Sequence, residues 1–172
     1  AIVHRLLGSF EEAISNLQTV LDRDPSFLPA LFSLGVTLLD RSRFELAGGL
    51  FVRSGKSAAG AALAAQRCIA LRPSLTCARK LLGDARCLAR NLPPTVCVQD
   101  PDTPVEQELT AEGAVLVGEP KVGDVEGHRD RRRALLKKGA RHYLHAVHMT
   151  PWVASAWYDA ALGQRELAAE EG

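Results

Sequence analysis

The sequence predicts an all-α fold, a solenoid of antiparallel helix pairs interrupted by one disordered loop. Three observations carry that prediction. The segment Phe10-Glu11-Glu12-Ala13 aligns without gaps with Phe44-Glu45-Leu46-Ala47, 34 residues further on. Pro25 and Pro73 each lie ten residues before a glycine, Gly35 and Gly83. Apolar residues such as Leu31, Leu34 and Leu38 follow a helical spacing rather than an alternating one.

The bulk properties fit such a fold and exclude several others. The chain has 172 residues, room for one or two domains. With 47% hydrophobic and 24% charged residues it is of ordinary globular composition. Lys and Arg number 21 against 20 Asp and Glu, so the net charge of +1 argues for neither nucleic acid nor an anionic membrane as partner. Cys68, Cys77, Cys87 and Cys97 contain no CxxC pair and read as reduced, apolar packing thiols. No segment has the pattern of a secretory signal. The most apolar run, 58–65, is far shorter than the roughly 20 residues that span a bilayer.

Along the chain, Ala13 and Leu17 belong to the second helix of a first pair that ends at helix-breaking Pro25. Leu31, Leu34 and Gly35 then mark a first helix, the glycine small because the paired helix crosses closely. Phe44, Ala47 and Phe51 follow as expected second-helix positions. The next copy is displaced: 48 residues separate Pro25 from Pro73 and also Gly35 from Gly83, which implies 14 inserted residues. Gly48, Gly49, Gly55 and Gly60 cluster there, and each costs roughly 1 kcal/mol relative to alanine inside a helix, so a break is expected around them. Leu82 and Gly83 mark the following first helix. Residues 91–133 lack aromatics, and eight acidic residues face one lysine between Pro93 and Gly127. Such a stretch reads as a flexible loop in which only Val115-Leu116-Val117 could dock. Helical spacing returns at Ala134 and runs through Tyr143 and Ala146. Pro151 ends that helix, and Trp157 falls in the next first helix, with Ala161 as its small residue. The period is that of tetratricopeptide repeats. They would occupy 1–90 and 134–172, the first and last being partial and the whole a piece of a longer solenoid.

The irregularities point further. An Ala-rich extension precedes Leu81-Leu82-Gly83-Asp84-Ala85-Arg86-Cys87; a spacer with a short Val/Leu run leads to Lys138-Gly139-Ala140-Arg141-His142-Tyr143-Leu144-His145-Ala146. This order resembles the tetratricopeptide scaffold subunits of animal superkiller complexes, cytoplasmic helpers of the RNA exosome. Arg79 stands where the family pattern has an aromatic, and Ala161 replaces a common glycine. The resemblance implies a non-catalytic scaffold that holds a helicase and a WD-repeat subunit and assists 3′–5′ messenger RNA decay in the cytoplasm, with the nucleus as a second location. It implies no cofactor and no membrane.

Three motifs invite sharper readings. Ser54-Gly55-Lys56-Ser57 ends like a phosphate-binding loop, but the required upstream glycine is Leu50 and no strand precedes it. His142, His145 and His148 recur every three residues and so fan across roughly 120° of helix surface, too wide for zinc without further ligands. Arg129, Arg131, Arg132, Arg133, Lys137, Lys138 and Arg141 form a basic run. Without interleaved aromatics it reads as a solvated helix start rather than an RNA contact. No catalytic constellation is present. Two other readings stand beside the scaffold: a co-chaperone module that clamps a peptide carboxylate, for which only Lys80 fits, and the repeat segment of an enzyme whose catalytic domain lies elsewhere.

Overall fold

The computed structural model describes residues 2–93, 97–98, 117–118 and 125–171. Among these residues six helices form: α1 (Ile2–Arg23), α2 (Leu28–Ala47), α3 (Phe51–Leu71), α4 (Thr76–Arg90), α5 (Val125–Met149) and α6 (Ala154–Glu171). Between α4 and α5, β1 (Cys97–Val98) pairs antiparallel with β2 (Val117–Gly118), Cys97 opposite Gly118 and Val98 opposite Val117. Each helix packs on the next, and α2 also touches α4. The chain is a helical repeat, in which α2–α3 and α4–α5 are complete hairpins.

Proline and glycine punctuate it. Pro25, Pro73 and Pro151 sit in the exposed turns after α1, α3 and α5; proline has no amide hydrogen to continue a helical ladder. The α2–α3 turn is only Gly48, Gly49 and Leu50. Gly49 has φ +75°, the left-handed conformation that favours glycine at a helix end. The main core is built from Leu31, Leu34 and Leu38 of α2, small residues of α3, and Leu81 and Leu82 of α4. Gly35 lies at its centre: a Cβ there would stand 2.7 Å from Leu81 and 3.3 Å from the Ala64 methyl, so the α2–α3–α4 contact closes only on glycine.

The structure departs from the sequence reading in four places. The partial first repeat has no separate first helix, because α1 runs uninterrupted from Ile2 to Arg23. The inserted residues, expected to lengthen a loop or the second helix, lengthen the first helix too: α2 has 20 residues where α4 has 15. Consequently Phe44 and Ala47 lie in the last turns of α2, not on a second helix, and Phe51 opens α3. Gly55 and Gly60 are buried inside α3 instead of breaking it, since small side chains let helices approach where glycine's entropic cost would otherwise argue against them. Finally, α5 starts at Val125, so 125–133 is helix rather than loop. Arginine is a good helix former, and the charge of this stretch does not oppose helix formation. The remainder of the expected loop lies outside the described residues, apart from 91–93 and its two strands. Val117 belongs to β2, and both strands lie against α3.

Candidate protein-interaction groove

Tyr143 of α5 anchors a concave surface between α4, α5 and α6. Its ring is held between two glycines. A Cβ on Gly83 of α4 would come within 2.6 Å of the ring, and one on Gly163 of α6 within 3.1 Å. Its hydroxyl donates a 2.6 Å hydrogen bond to Oδ1 of Asp84. Burial and the neighbouring Cys87 and Asp84 push the phenol far above its ordinary ionisation range, so Tyr143 stays neutral and donates. Packed on Gly139, where a Cβ would meet the Cys87 sulfur at 2.9 Å, α5 sits unusually close to α4.

Around this ring lie two adjoining cavities of about 260 and 240 Å³. The first is bordered by Arg43, Asp84, Asn91 and Glu166. The second is apolar, with Cys77, Ala146, Val153 and Ala156 in its wall. Lys80 stands between them, its ammonium 3.2 Å from Asp84 and 2.9 Å from Asp159. Burial alone would lower the Lys80 pKa, but the two carboxylates outweigh it and raise it, so the cation persists at neutral pH. Arg90 pairs with Glu166 at 3.4 Å, a second bridge from α4 to α6. The rim is thus charged but internally compensated, and the floor is apolar.

The expected repeat-packing residues divide into three groups. Leu31, Leu34, Gly35, Leu82, Gly83, Tyr143 and Ala146 are buried, while Ala13 and Leu17 are half-buried, Leu17 against the main core. Phe44 is half-buried with its ring 6.1 Å from that of Phe10. Ala47 and Phe51 are exposed, because α2 and α3 end and begin there. Trp157 is 55% exposed, and its indole nitrogen donates to the Pro151 carbonyl at 2.8 Å. Arg79, at the same distance after Pro73, donates from Nε and Nη2 to the Pro73 carbonyl. The arginine therefore makes the hydrogen bond that the aromatic makes. At the small position of α6, Ala161 is exposed and Gly163 is the residue against Tyr143.

The remaining motifs take structural places. Ser54-Gly55-Lys56-Ser57 lies in the first turns of α3 with both serines buried, which removes the loop a phosphate would need. His142 contacts the buried guanidinium of Arg86 across the α4–α5 interface, whereas His145 and His148 are exposed. Among the described residues no cluster of His, Cys, Asp and Glu could hold a metal ion, and no helix is long and apolar enough to cross a membrane. Of the basic run, Arg129, Lys137 and Arg141 are exposed; Arg132, Arg133 and Lys138 are half-buried.

The cysteines differ in accessibility. Cys68 is fully buried and Cys77 is exposed. Burial pushes the Cys68 thiol up to about 11 from 9.0. In the folded protein iodoacetamide should therefore alkylate Cys77 well before Cys68, since only the thiolate attacks. Peptide mapping over a labelling time course at pH 8 checks this; equal rates would contradict the burial. The thiol of Cys68 ionises more easily unfolded than folded. Its contribution to stability is complete below about pH 9 and is lost as pH rises towards 11.

No protein-family model matches the chain. It is similar to "Tetratricopeptide repeat protein 37" of Xenopus laevis, with 34% identity over 85 residues. That match covers 49% of this chain and 5% of that protein, so the chain spans a small part of the relative's length. Half of the chain is thus similar in sequence to a tetratricopeptide-repeat protein, and its helices fold as paired helical repeats.

Proposed function

We propose that this chain is a section of a non-catalytic protein-interaction scaffold of the superkiller type, which holds a helicase and a WD-repeat subunit together and assists exosome-dependent 3′–5′ decay of messenger RNA in the cytoplasm. The observation that supports the reading best is the 34% identity over 85 residues to a tetratricopeptide-repeat protein, in a chain whose helices stack as helical repeats. The groove around Tyr143 suits such a role. It offers an apolar floor for a partner's side chains and a rim whose charges already neutralise one another, so binding there strands no buried ion. The co-chaperone reading loses its one supporting residue, because Lys80 is engaged by Asp84 and Asp159, and an incoming carboxylate would meet their negative charge.

The test is direct binding of purified helicase and WD-repeat subunits to this chain, and to the longer polypeptide that contains it, by surface plasmon resonance. Saturable binding of at least one subunit is expected, with no response to acidic C-terminal peptides. Binding of those peptides alone, with both subunits silent on either polypeptide, would sink the proposal.

A further inference from the structure

The chain is nearly neutral as a whole, but its charge is unevenly placed. No Asp or Glu occurs between Asp130 and Asp159, while Arg, Lys and His recur through that stretch. On α5 the structure sorts them. Lys137, Arg141, His145 and His148 are exposed, and steps of three or four residues put them on one face of the helix. From Lys137 to His148 that face runs about 17 Å at 1.5 Å per residue. The helices that pack on α5 most, α4 and α6, leave it in solvent. Desolvation, then the charges of Arg79 and His148, hold His145 below its ordinary pKa, so Arg79 of α4 adds its charge to the same face. Past the helix end, Trp152 is 79% exposed in the turn, and Tyr158 is 69% exposed on α6. The indole of Trp157 is fixed to the Pro151 carbonyl through its N–H, with more than half of its surface in water. The aromatics missing from the basic run in sequence therefore stand at one end of it in space.

We propose that this face binds a single strand of nucleic acid, its phosphates along Lys137, Arg141 and His148 and its bases at Trp152. Each phosphate neutralised by Lys or Arg releases condensed counterions, which favours binding most at low salt. The ring N–H groups of the two histidines donate to phosphate oxygens whether the rings are charged or neutral. An exposed indole offers a flat apolar surface on which any base stacks. Phosphates and base faces are common to RNA and DNA, so a strand of either kind is accommodated. An acidic peptide would use the cations and leave the aromatics idle. A duplex offers phosphates but keeps its base faces stacked inside.

Fluorescence anisotropy with a labelled oligouridylate of about 12 nucleotides tests this on the whole chain. Saturable binding is expected at about 50 mM KCl, weakening steeply towards about 200 mM. Lys137→Gln with Arg141→Gln should weaken it and make the slope of log K against log salt shallower by about 0.7 for each charge lost. Trp152→Ala should weaken it about fivefold or more and leave that slope unchanged. Arg23→Gln with Arg53→Gln removes equal charge from exposed sites on α1 and α3 and should leave binding as it was. All of the altered side chains are exposed, so the variants keep the fold. No binding at low salt, or equal losses from the two double variants, would overturn the proposal. So would full affinity in Trp152→Ala, tighter binding of a duplex of the same length, or displacement by polyglutamate as effective as by oligothymidylate. Binding to phosphatidylserine vesicles with none to the oligonucleotide would overturn it as well and assign the face to a lipid surface.

Discussion

Replacing Tyr143 with alanine should cost about 3–5 kcal/mol of unfolding free energy, the range for deleting a buried aromatic. The reason lies in what surrounds it. The cluster joining α5 to α6 consists of Tyr143, Val147, Ala156 and Ala160, with Cys87 at its edge. Tyr143 is its largest member, and the glycines on either face of the ring cannot fill the space it leaves. The loss should concentrate on α6, whose amides should lose exchange protection while α2 keeps its own. Tyr143→Phe removes the hydroxyl's bonds to Asp84 and Cys87 and should cost about 1.5–3 kcal/mol, the range for a hydrogen bond to a charged group. Gly83→Val approaches the same slot from the other side. Its side chain must enter a space where even a Cβ would lie 2.6 Å from the ring, and overpacking of this kind costs about 1–3 kcal/mol despite valine's better helix propensity. Urea denaturation supplies the free energies. A Tyr143→Ala cost under 1 kcal/mol, or an α6 that keeps its protection, would contradict this account.

How far the fold was legible depended on whether a residue's partners were near in sequence. Gly35 and Gly83 could be read as close-approach positions because each lies ten residues after a proline, and the structure places Leu81 and Tyr143 against them. The same counting gave Ala161 in α6, whereas the contact is made at Gly163. Counting from a turn fixes a residue's place along a helix but not the height at which a ring from another helix meets it. The gapless match of Phe44-Glu45-Leu46-Ala47 to Phe10-Glu11-Glu12-Ala13 was real as sequence and misleading as structure. Local similarity does not say where a lengthened helix ends, and α2 ends at the turn of Gly48, Gly49 and Leu50. The glycines of α3 looked like breaks because propensity counts entropy and not neighbours. The groove was harder to see. Tyr143 was recognisable as a packing residue, but its hydrogen bond to Asp84 and the Lys80–Asp159 bridge join residues from separate helices, and no periodicity announces such pairs.

Least visible of all was a polar network inside the lengthened hairpin, and its disruption is the second large effect expected. Arg41, Ser42 and Glu45 of α2, with Ser54 and Ser57 of α3, are polar side chains of kinds that mostly sit in water. Yet Glu45 is 1% exposed and both Ser42 and Ser54 are fully buried. Arg41 Nε donates to Glu45 at 3.1 Å and its Nη1 reaches Glu11 of α1, also at 3.1 Å. Ser57 donates to the other Glu45 oxygen at 2.7 Å. The hydroxyls of Ser42 and Ser54 each donate to the other residue's carbonyl oxygen, which holds α2 and α3 in register just before and after the Gly48–Leu50 turn. Glu45→Ala leaves Arg41 buried with only the half-solvated Glu11, and Ser57 without its acceptor. Breaking a buried pair in this way costs about 3–5 kcal/mol, because the surviving charge has lost its compensation but not its burial. Arg41→Ala should cost a similar amount by stranding Glu45. The double variant Arg41→Met with Glu45→Leu removes both charges and fills the space with apolar atoms, so it should recover most of the loss. Chemical denaturation of the three variants decides the matter. If the double variant is as unstable as the sum of the singles, the network contributes through more than mutual charge compensation. If Glu45→Ala costs under 1 kcal/mol, Glu45 is not the buried hub that joins α1, α2 and α3.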